Sequence, residues 1–233
     1  MTDALATGPH GILGALDGRT FAAVIFDMDG TLVDSTPAVA RCWVRLAQEE
    51  GIDPVRLTGF HGIPARGIVE AVFPEARWDA CFERILALEL ADTDGVVPLP
   101  GAVAALAAIS ALDPARVAIA TSCTRDLADV RLAASGLLRP DVVVTFDDTE
   151  RGKPHPDPFL EASRRLGVDP TQCLVVEDAP GGLVAARAAG CATLALMTTT
   201  PRDELVADAV VGTLADVRFA AGGRLTVSAA SGR

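Results

Sequence analysis

An α/β fold, in which a parallel sheet is covered by helices on both faces and interrupted by one helical insertion, is predicted by three features of this 233-residue chain. From residue 21 onward, short apolar runs alternate with longer Ala-rich stretches, as strands joined by helical crossovers require. Residues 36–97 break that alternation and show helical patterning alone. Half of the residues are hydrophobic, enough for a substantial core, so disorder is not the default state.

Residues 1–18, rich in Gly, Ala and Thr without periodicity, are expected to be a flexible leader. The apolar, partly β-branched run 21–26 reads as a buried strand. Further strands are expected at 116–121, 141–146, 173–176 and 192–196, with 209–211 at an edge. Helical segments at 102–111, 125–135, 157–166 and 181–189 lie between them. Such sheets bind ligands at the carboxyl ends of their strands. Inside the insertion, helical patterning covers 37–50, 64–73 and 78–90, punctuated by Gly51, Gly59, Gly62 and Pro74. Ser35-Thr36-Pro37 and Pro98-Leu99-Pro100-Gly101 read as its connections to the rest. The expected division is a core of 19–35 and 98–219, a helical cap of 36–97 and a mobile tail of 220–233 containing Gly222-Gly223. A cap inserted there overhangs the sheet's carboxyl edge, the place for a lid.

The net charge of −11 argues against nucleic acid or an anionic membrane surface as partners, so an anionic substrate must be held by local charges. Five scattered cysteines, without metal spacing, read as reduced thiols of a cytoplasmic protein. No signal peptide and no membrane-spanning apolar stretch is evident, so the expectation is a soluble protein.

Four pieces carry chemistry, each at the carboxyl end of an expected strand. The first is Asp27-Met28-Asp29-Gly30, with two carboxylates one residue apart; Asp-x-Asp-Gly alone is also simply a turn. The second is Thr121-Ser122, hydroxyls ahead of a helix that begins near Arg125, a phosphate-binding arrangement. The third is Lys153, the single lysine in a chain with 19 arginines, which points to a need for a compact ammonium there. The fourth is Glu177-Asp178. With Asp27 and Asp29, this acidic pair makes a set of oxygen ligands suited to Mg²⁺, which relieves carboxylate repulsion and attracts a phosphoryl group. Phosphoryl transfer with a carboxylate nucleophile follows.

As an ordered set over about 21–217, DMDGTLVDS, ATS, GKPHPDPF and VVEDAPGG resemble the haloacid dehalogenase superfamily. The resemblance implies a Rossmann-like core with a small helical cap, Asp27 as nucleophile and Asp29 as general acid and base. It implies Mg²⁺ held by the Asp27 carboxylate, the Asp29 backbone carbonyl and Asp178, with Glu177 acting through a water. Thr121, Ser122 and Lys153 would hold phosphoryl oxygens, and Asp34 a structural hydrogen bond. The finer match is similar to the glycerol-phosphatase and 2-deoxyglucose-6-phosphate phosphatase group, which implies a small phosphorylated sugar or polyol as substrate. Cys123 departs from the glycerol-phosphatase pattern, where glycine is expected; it either borders the substrate or merely fills the loop.

Asp29 argues against a dehalogenase, whose leaving group needs no proton, and the insertion has no lysine for a Schiff base. A β-phosphoglucomutase-like mutase would carry a cap histidine where this chain has Val39. A phosphoglycolate-type phosphatase is the nearer alternative. A catalytically silent binding module should lack one of the four pieces, and all four are present. In the cap, His61 and Arg66 either read the substrate or pack and cap locally, and Arg125 either reads it or pairs on the surface. His155 is assigned a structural role and Trp43 a place in the cap's core.

Overall fold

The computed structural model describes residues 12–57, 64–112, 116–221 and 224–230. Six strands form a parallel sheet: β2 (Ala23–Phe26), β5 (Val117–Ala120), β6 (Val142–Val144), β7 (Cys173–Glu177), β8 (Ala192–Leu196) and β9 (Ala209–Val211). Their order is β6-β5-β2-β7-β8-β9, every pair parallel. The order reverses at β2, so the crevice outside its carboxyl end is the expected ligand position. Four helices wrap this sheet: α4 (Ala102–Leu112), α5 (Arg125–Ser135), α6 (Asp157–Leu166) and α7 (Pro180–Ala188).

Strand alternation explains why both faces are apolar. Ala23 and Ile25 of β2 pack with Phe159 of α6 and Ala185 of α7. Val24 and Phe26 join the opposite cluster with Leu106 and Ile109 of α4. Full burial of each such large side chain contributes about 1.5–3 kcal/mol.

The insertion holds α1 (Thr36–Glu50), α2 (Ala65–Val72) and α3 (Trp78–Ala91), which close around their own cluster of Cys42, Trp43, Leu46, Val69 and Ile85. Its two connections run side by side as β3 (Val33–Asp34) and β4 (Val97–Pro98), paired antiparallel through Val33 with Pro98 and Asp34 with Val97. Among the described residues, no helix is long and apolar enough to cross a membrane.

Three expectations need correction. The run 21–26 is not one strand: the chain bends at Ala22, whose N–H donates to the Gln172 carbonyl at 2.8 Å, and changes partner there. Before the bend, β1 (Thr20–Phe21) pairs with β11 (Leu225–Ala229), which pairs in turn with β10 (Val217–Ala221). The tail is therefore built into the fold over 220–221 and 225–229, because Leu225 and Val227 alternate inward and Phe219 meets Phe26 edge to face at 5.9 Å. The leader likewise packs over 12–18, with Leu13 and Leu16 in the core and the Ala15 N–H on the Asp208 carbonyl at 3.0 Å. Residues 1–11 and 231–233, also assigned to leader and tail, lie outside the described residues.

Candidate active site

The turn after β2 is fixed by its backbone. The Asp27 N–H continues the ladder to the Val176 carbonyl at 2.9 Å, and the Met28 carbonyl accepts from Leu32 at 2.8 Å and Val33 at 2.9 Å. Gly30 sits at φ +85°, and a Cβ there would collide with the Asp178 carboxylate. Only glycine meets both demands, so the turn lies directly against the acidic pair that closes β7. Thr31 Oγ1 donates to Asp178 Oδ1 at 3.1 Å, and Thr199 Oγ1 donates to Asp178 Oδ2.

Lys153 is buried between two of these acids, with Nζ 2.5 Å from Asp27 Oδ1 and 2.8 Å from Glu177 Oε1. The other Glu177 oxygen accepts the N–H groups of Asp178 and Ala179, both at 2.7 Å. A Cβ on Gly182 would overlap the Glu177 carboxylate, so the start of α7 approaches this close only with glycine. At Gly181, by contrast, a Cβ would face open space. Asp27, Glu177 and Asp178 each place a carboxylate oxygen within 4.8 Å of the others.

Burial pushes Asp27 well above the ordinary carboxylate range, with Lys153 pulling the other way. Burial, then Glu177, pushes Asp178 up to about 7. Burial disfavours the charged Lys153, yet Asp27 and Glu177 outweigh it and hold the ammonium firmly protonated. Three buried carboxylates facing one ammonium leave the site short of positive charge. An all-oxygen donor set of that kind fits a divalent cation of the Mg²⁺ class.

Thr121 follows β5, and its hydroxyl accepts the Cys123 N–H at 3.2 Å. Asp27, Asp29, Thr121, Ser122, Cys123 and Lys153 line a cavity of about 410 Å³. Its opposite wall is apolar and comes from the insertion, with Val39, Trp43, Ile68 and Phe82. Trp43 thus belongs both to the insertion's core and to the cavity wall. Arg66 borders the cavity, but its guanidinium is bound to Glu70 and Asp79, each at 2.7 Å. Arg125 does not line it: its guanidinium pairs with Asp148 and reaches the Val143 carbonyl at 3.3 Å, turned toward β6. His61 lies outside the described residues. Asp34 Oδ1 accepts the Thr36 N–H at 3.1 Å at the start of α1, a structural hydrogen bond. His155 is exposed.

Asp29 stands apart from the acid cluster. Ser35 Oγ donates to its Oδ1 at 2.6 Å, and Cys123 Sγ and Arg131 Nη1 each meet its Oδ2 at 3.0 Å. Burial, reinforced by Asp29, pushes the Cys123 thiol well up, so it remains an S–H donor. Arg131 Nη2 reaches Glu89 Oε2 of α3 at 3.1 Å. Burial pushes Glu89 up while Arg131 opposes it. Arg131, Glu89, Thr31 and Thr199 also stand at the site without a role assigned to them by the sequence motifs. A signal existed for two of them: Arg131 is four and three residues from Leu127 and Ala128, and Glu89 follows Ile85 and Leu88, each a charge on an apolar helical face.

Residues 21–190 match the hydrolase family model described as haloacid dehalogenase-like hydrolase. Hexitol phosphatase A of Escherichia coli (strain K12) is 41% identical over 186 residues, covering 76% of this chain and 85% of that protein. Glycerol-1-phosphate phosphohydrolase 2 of Saccharomyces cerevisiae is 32% identical over 193 residues, 78% of this chain and 77% of that one. A hydrolase from Pseudomonas syringae superposes with a TM-score of 0.73 at 28% identity, covering 85% of this chain and 95% of that structure. The chain belongs to the haloacid dehalogenase-like hydrolases, among their phosphoric monoester hydrolases.

Proposed function

We propose that this chain is a Mg²⁺-dependent phosphatase of small sugar or polyol phosphate monoesters, acting through a phospho-aspartyl intermediate on Asp27. The observation that carries the reading is the buried Lys153 ammonium bridging Asp27 and Glu177 on the cavity floor. It holds the nucleophile in place and keeps positive charge where phosphoryl oxygens arrive. An Asp27 oxygen attacks phosphorus, and the ester bond breaks as Asp29 gives its proton to the departing alcohol. Asp29, now a carboxylate, takes a proton from the water that cleaves the acyl phosphate, releasing phosphate and regenerating Asp27. Thr121, Ser122 and Lys153 hold the phosphoryl oxygens meanwhile.

Mg²⁺ would be held by Asp27, the Asp29 carbonyl and Asp178, with Glu177 through a water. When bound, it neutralises phosphoryl charge and offsets the repulsion among the acids. The hexitol and glycerol-1-phosphate specificities of two relatives support a polyol or sugar ester. Val39 lines the cavity where a mutase would carry its cap histidine, which supports hydrolysis over mutase chemistry. Five unpaired cysteines support a reducing, cytoplasmic location.

The test is phosphate release with and without Mg²⁺ across hexitol, glycerol, hexose, deoxyhexose and glycolate phosphates and β-glucose 1-phosphate, with Asp27→Asn as control. Mg²⁺-dependent release from a sugar or polyol ester, abolished in Asp27→Asn, is the expected result. Preference for glycolate phosphate overturns the substrate class, glucose 6-phosphate formed without phosphate release means a mutase, and near-normal activity in Asp27→Asn overturns the covalent mechanism.

A further inference from the structure

Among the described residues, Arg131 is the buried cavity-lining cation to which the proposed reaction gives no task. It lies on α5, 5% exposed, beside the buried Leu127, Ala128 and Leu132. A guanidinium in such a place is costly to desolvate unless its fork is paired. Both arms are paired, one to each layer of the molecule. Nη1 meets Asp29 Oδ2 at 3.0 Å and Cys123 Sγ at 3.1 Å, while Nη2 meets Glu89 Oε2 at 3.1 Å. Glu89 belongs to α3 of the insertion and is itself 6% exposed.

We propose that Arg131 is a positioning residue for Asp29, and that through Glu89 it couples the orientation of that carboxylate to the seating of the insertion on the core. The inference rests on the phosphatase reading of this site. A planar fork fixes two partners in one frame, so the place of Glu89 and the place of the Asp29 carboxylate are set together. The second Asp29 oxygen is held by Ser35, the residue between β3 and α1. Asp29 is therefore tied to the insertion twice, at its stem through Ser35 and at α3 through Arg131. When α3 lifts, Glu89 leaves, one arm of the fork is freed, and Asp29 loses its fixed direction. Proton transfer to the leaving oxygen then waits for the cavity to close, which also keeps water from the acyl phosphate during its formation.

A structural strut and a positioning residue differ in one measurable way. Positioning a general acid matters for an alkyl ester, whose oxygen departs only with a proton, and far less for p-nitrophenyl phosphate, whose phenolate leaves without one. The experiment is single-turnover release of the leaving group, enzyme in excess with Mg²⁺, comparing the fastest alkyl ester of the panel with p-nitrophenyl phosphate. In Arg131→Met the alkyl-to-aryl rate ratio should fall by about 30-fold or more, a part of the ~10²–10⁴-fold that a general acid contributes. Glu89→Gln, which keeps an acceptor for Nη2 but removes the charge, should lower the ratio by a few-fold, and Arg131→Lys should fall between. If Arg131→Met does not fold, the other two variants decide. Equal losses for both esters overturn the proposal in favour of a strut, and a rise in the alkyl rate overturns it in favour of an inhibitory clamp. In both of those cases the unsubstituted enzyme still hydrolyses its esters and the phosphatase reading stands. Absence of hydrolysis by the unsubstituted chain overturns that reading and this one with it.

Discussion

Asp178→Asn in metal-free protein tests the electrostatics of the acid cluster directly. Asp178 is pushed from its ordinary 3.8 up to about 7 by burial and by Glu177, against hydrogen bonds from Thr199 and Thr31. Its folded-state pKa lies above its unfolded one, so the folded protein keeps the proton longer, and stability falls as pH rises from about 4 through about 7. The penalty grows from roughly 2 kcal/mol at pH 5 to roughly 4 kcal/mol at pH 8. Asparagine fills the same space, and both threonine hydroxyls can turn to accept as well as donate. With about 2–4 °C per kcal/mol for a domain of this size, Asp178→Asn in EDTA should raise Tm more at pH 8 than at pH 5, by roughly 5–10 °C. Saturating Mg²⁺ should raise the Tm of the unsubstituted protein at pH 8 and close most of the gap, since a ligand that binds only the folded state stabilises it. Melting curves at the two pH values, with EDTA and with Mg²⁺, supply all four comparisons. A shift independent of pH would refute the charge argument, and equal Mg²⁺ stabilisation of Asp178→Asn would refute its place as a metal ligand.

Lys153→Arg keeps the charge but exchanges a compact ammonium, 2.5 Å and 2.8 Å from its two acids, for a wider planar group. Its kcat should fall about 10²-fold or more, and unchanged kinetics would remove the case for an ammonium at that place. Gly182→Ala drives a Cβ into the Glu177 carboxylate, so the start of α7 must shift. It should cost about 1–3 kcal/mol in urea unfolding, and an unmoved midpoint would show that the approach is not tight. Leu225→Ala removes a side chain with no exposure from the cluster beneath the β10–β11 pair. A loss of about 2–5 kcal/mol is expected, whereas a loss below about 0.5 kcal/mol would show that this strand adds little to the core.

The sheet was legible because each of its strands is a short apolar run bounded by polar or turn residues, and a parallel strand buried on both faces has to look that way. Ala192–Leu196 and Ala209–Val211 fall on the residues the sequence points to. The first strand did not, because continuous hydrophobicity reports burial and is silent about partner: Phe21 and Ala23 are both buried, yet Phe21 pairs with β11 and Ala23 with β7. Gly222-Gly223 drew attention away from the inward alternation of Leu225 and Val227 just beyond it. At the site, Asp27, Lys153, Glu177 and Asp178 were legible because each sits at the end of a strand or in the loop after one, where topology forces convergence. Arg131 and Glu89 were not, since they come from the middle of α5 and the last turn of α3, 42 residues apart, and only the packing of α3 on α5 makes them neighbours. Arg125, which from sequence either reads the substrate or pairs on the surface, is drawn by backbone and side chain to Asp147 and Asp148 on the segment after β6.

Among the described residues of this chain of net charge −11, two buried cations line the cavity, and they are arranged alike. Lys153 lies between Asp27 and Glu177, and Arg131 between Asp29 and Glu89. The two turn carboxylates are one residue apart in sequence, and each faces its own cation. That separation matters because acids sharing one cation would compete for it, and a proton lost by one would alter the other. In the proposed reaction the ammonium sits where a phosphoryl group would be held, with three rotatable donors that could follow oxygens moving from ester to acyl phosphate to free phosphate. In the same proposal the guanidinium sits where a proton donor would keep one direction, and its rigid fork suits that task. Exchanging the two cations should therefore impair the enzyme at both places, though the count of charges in the cavity would be unchanged.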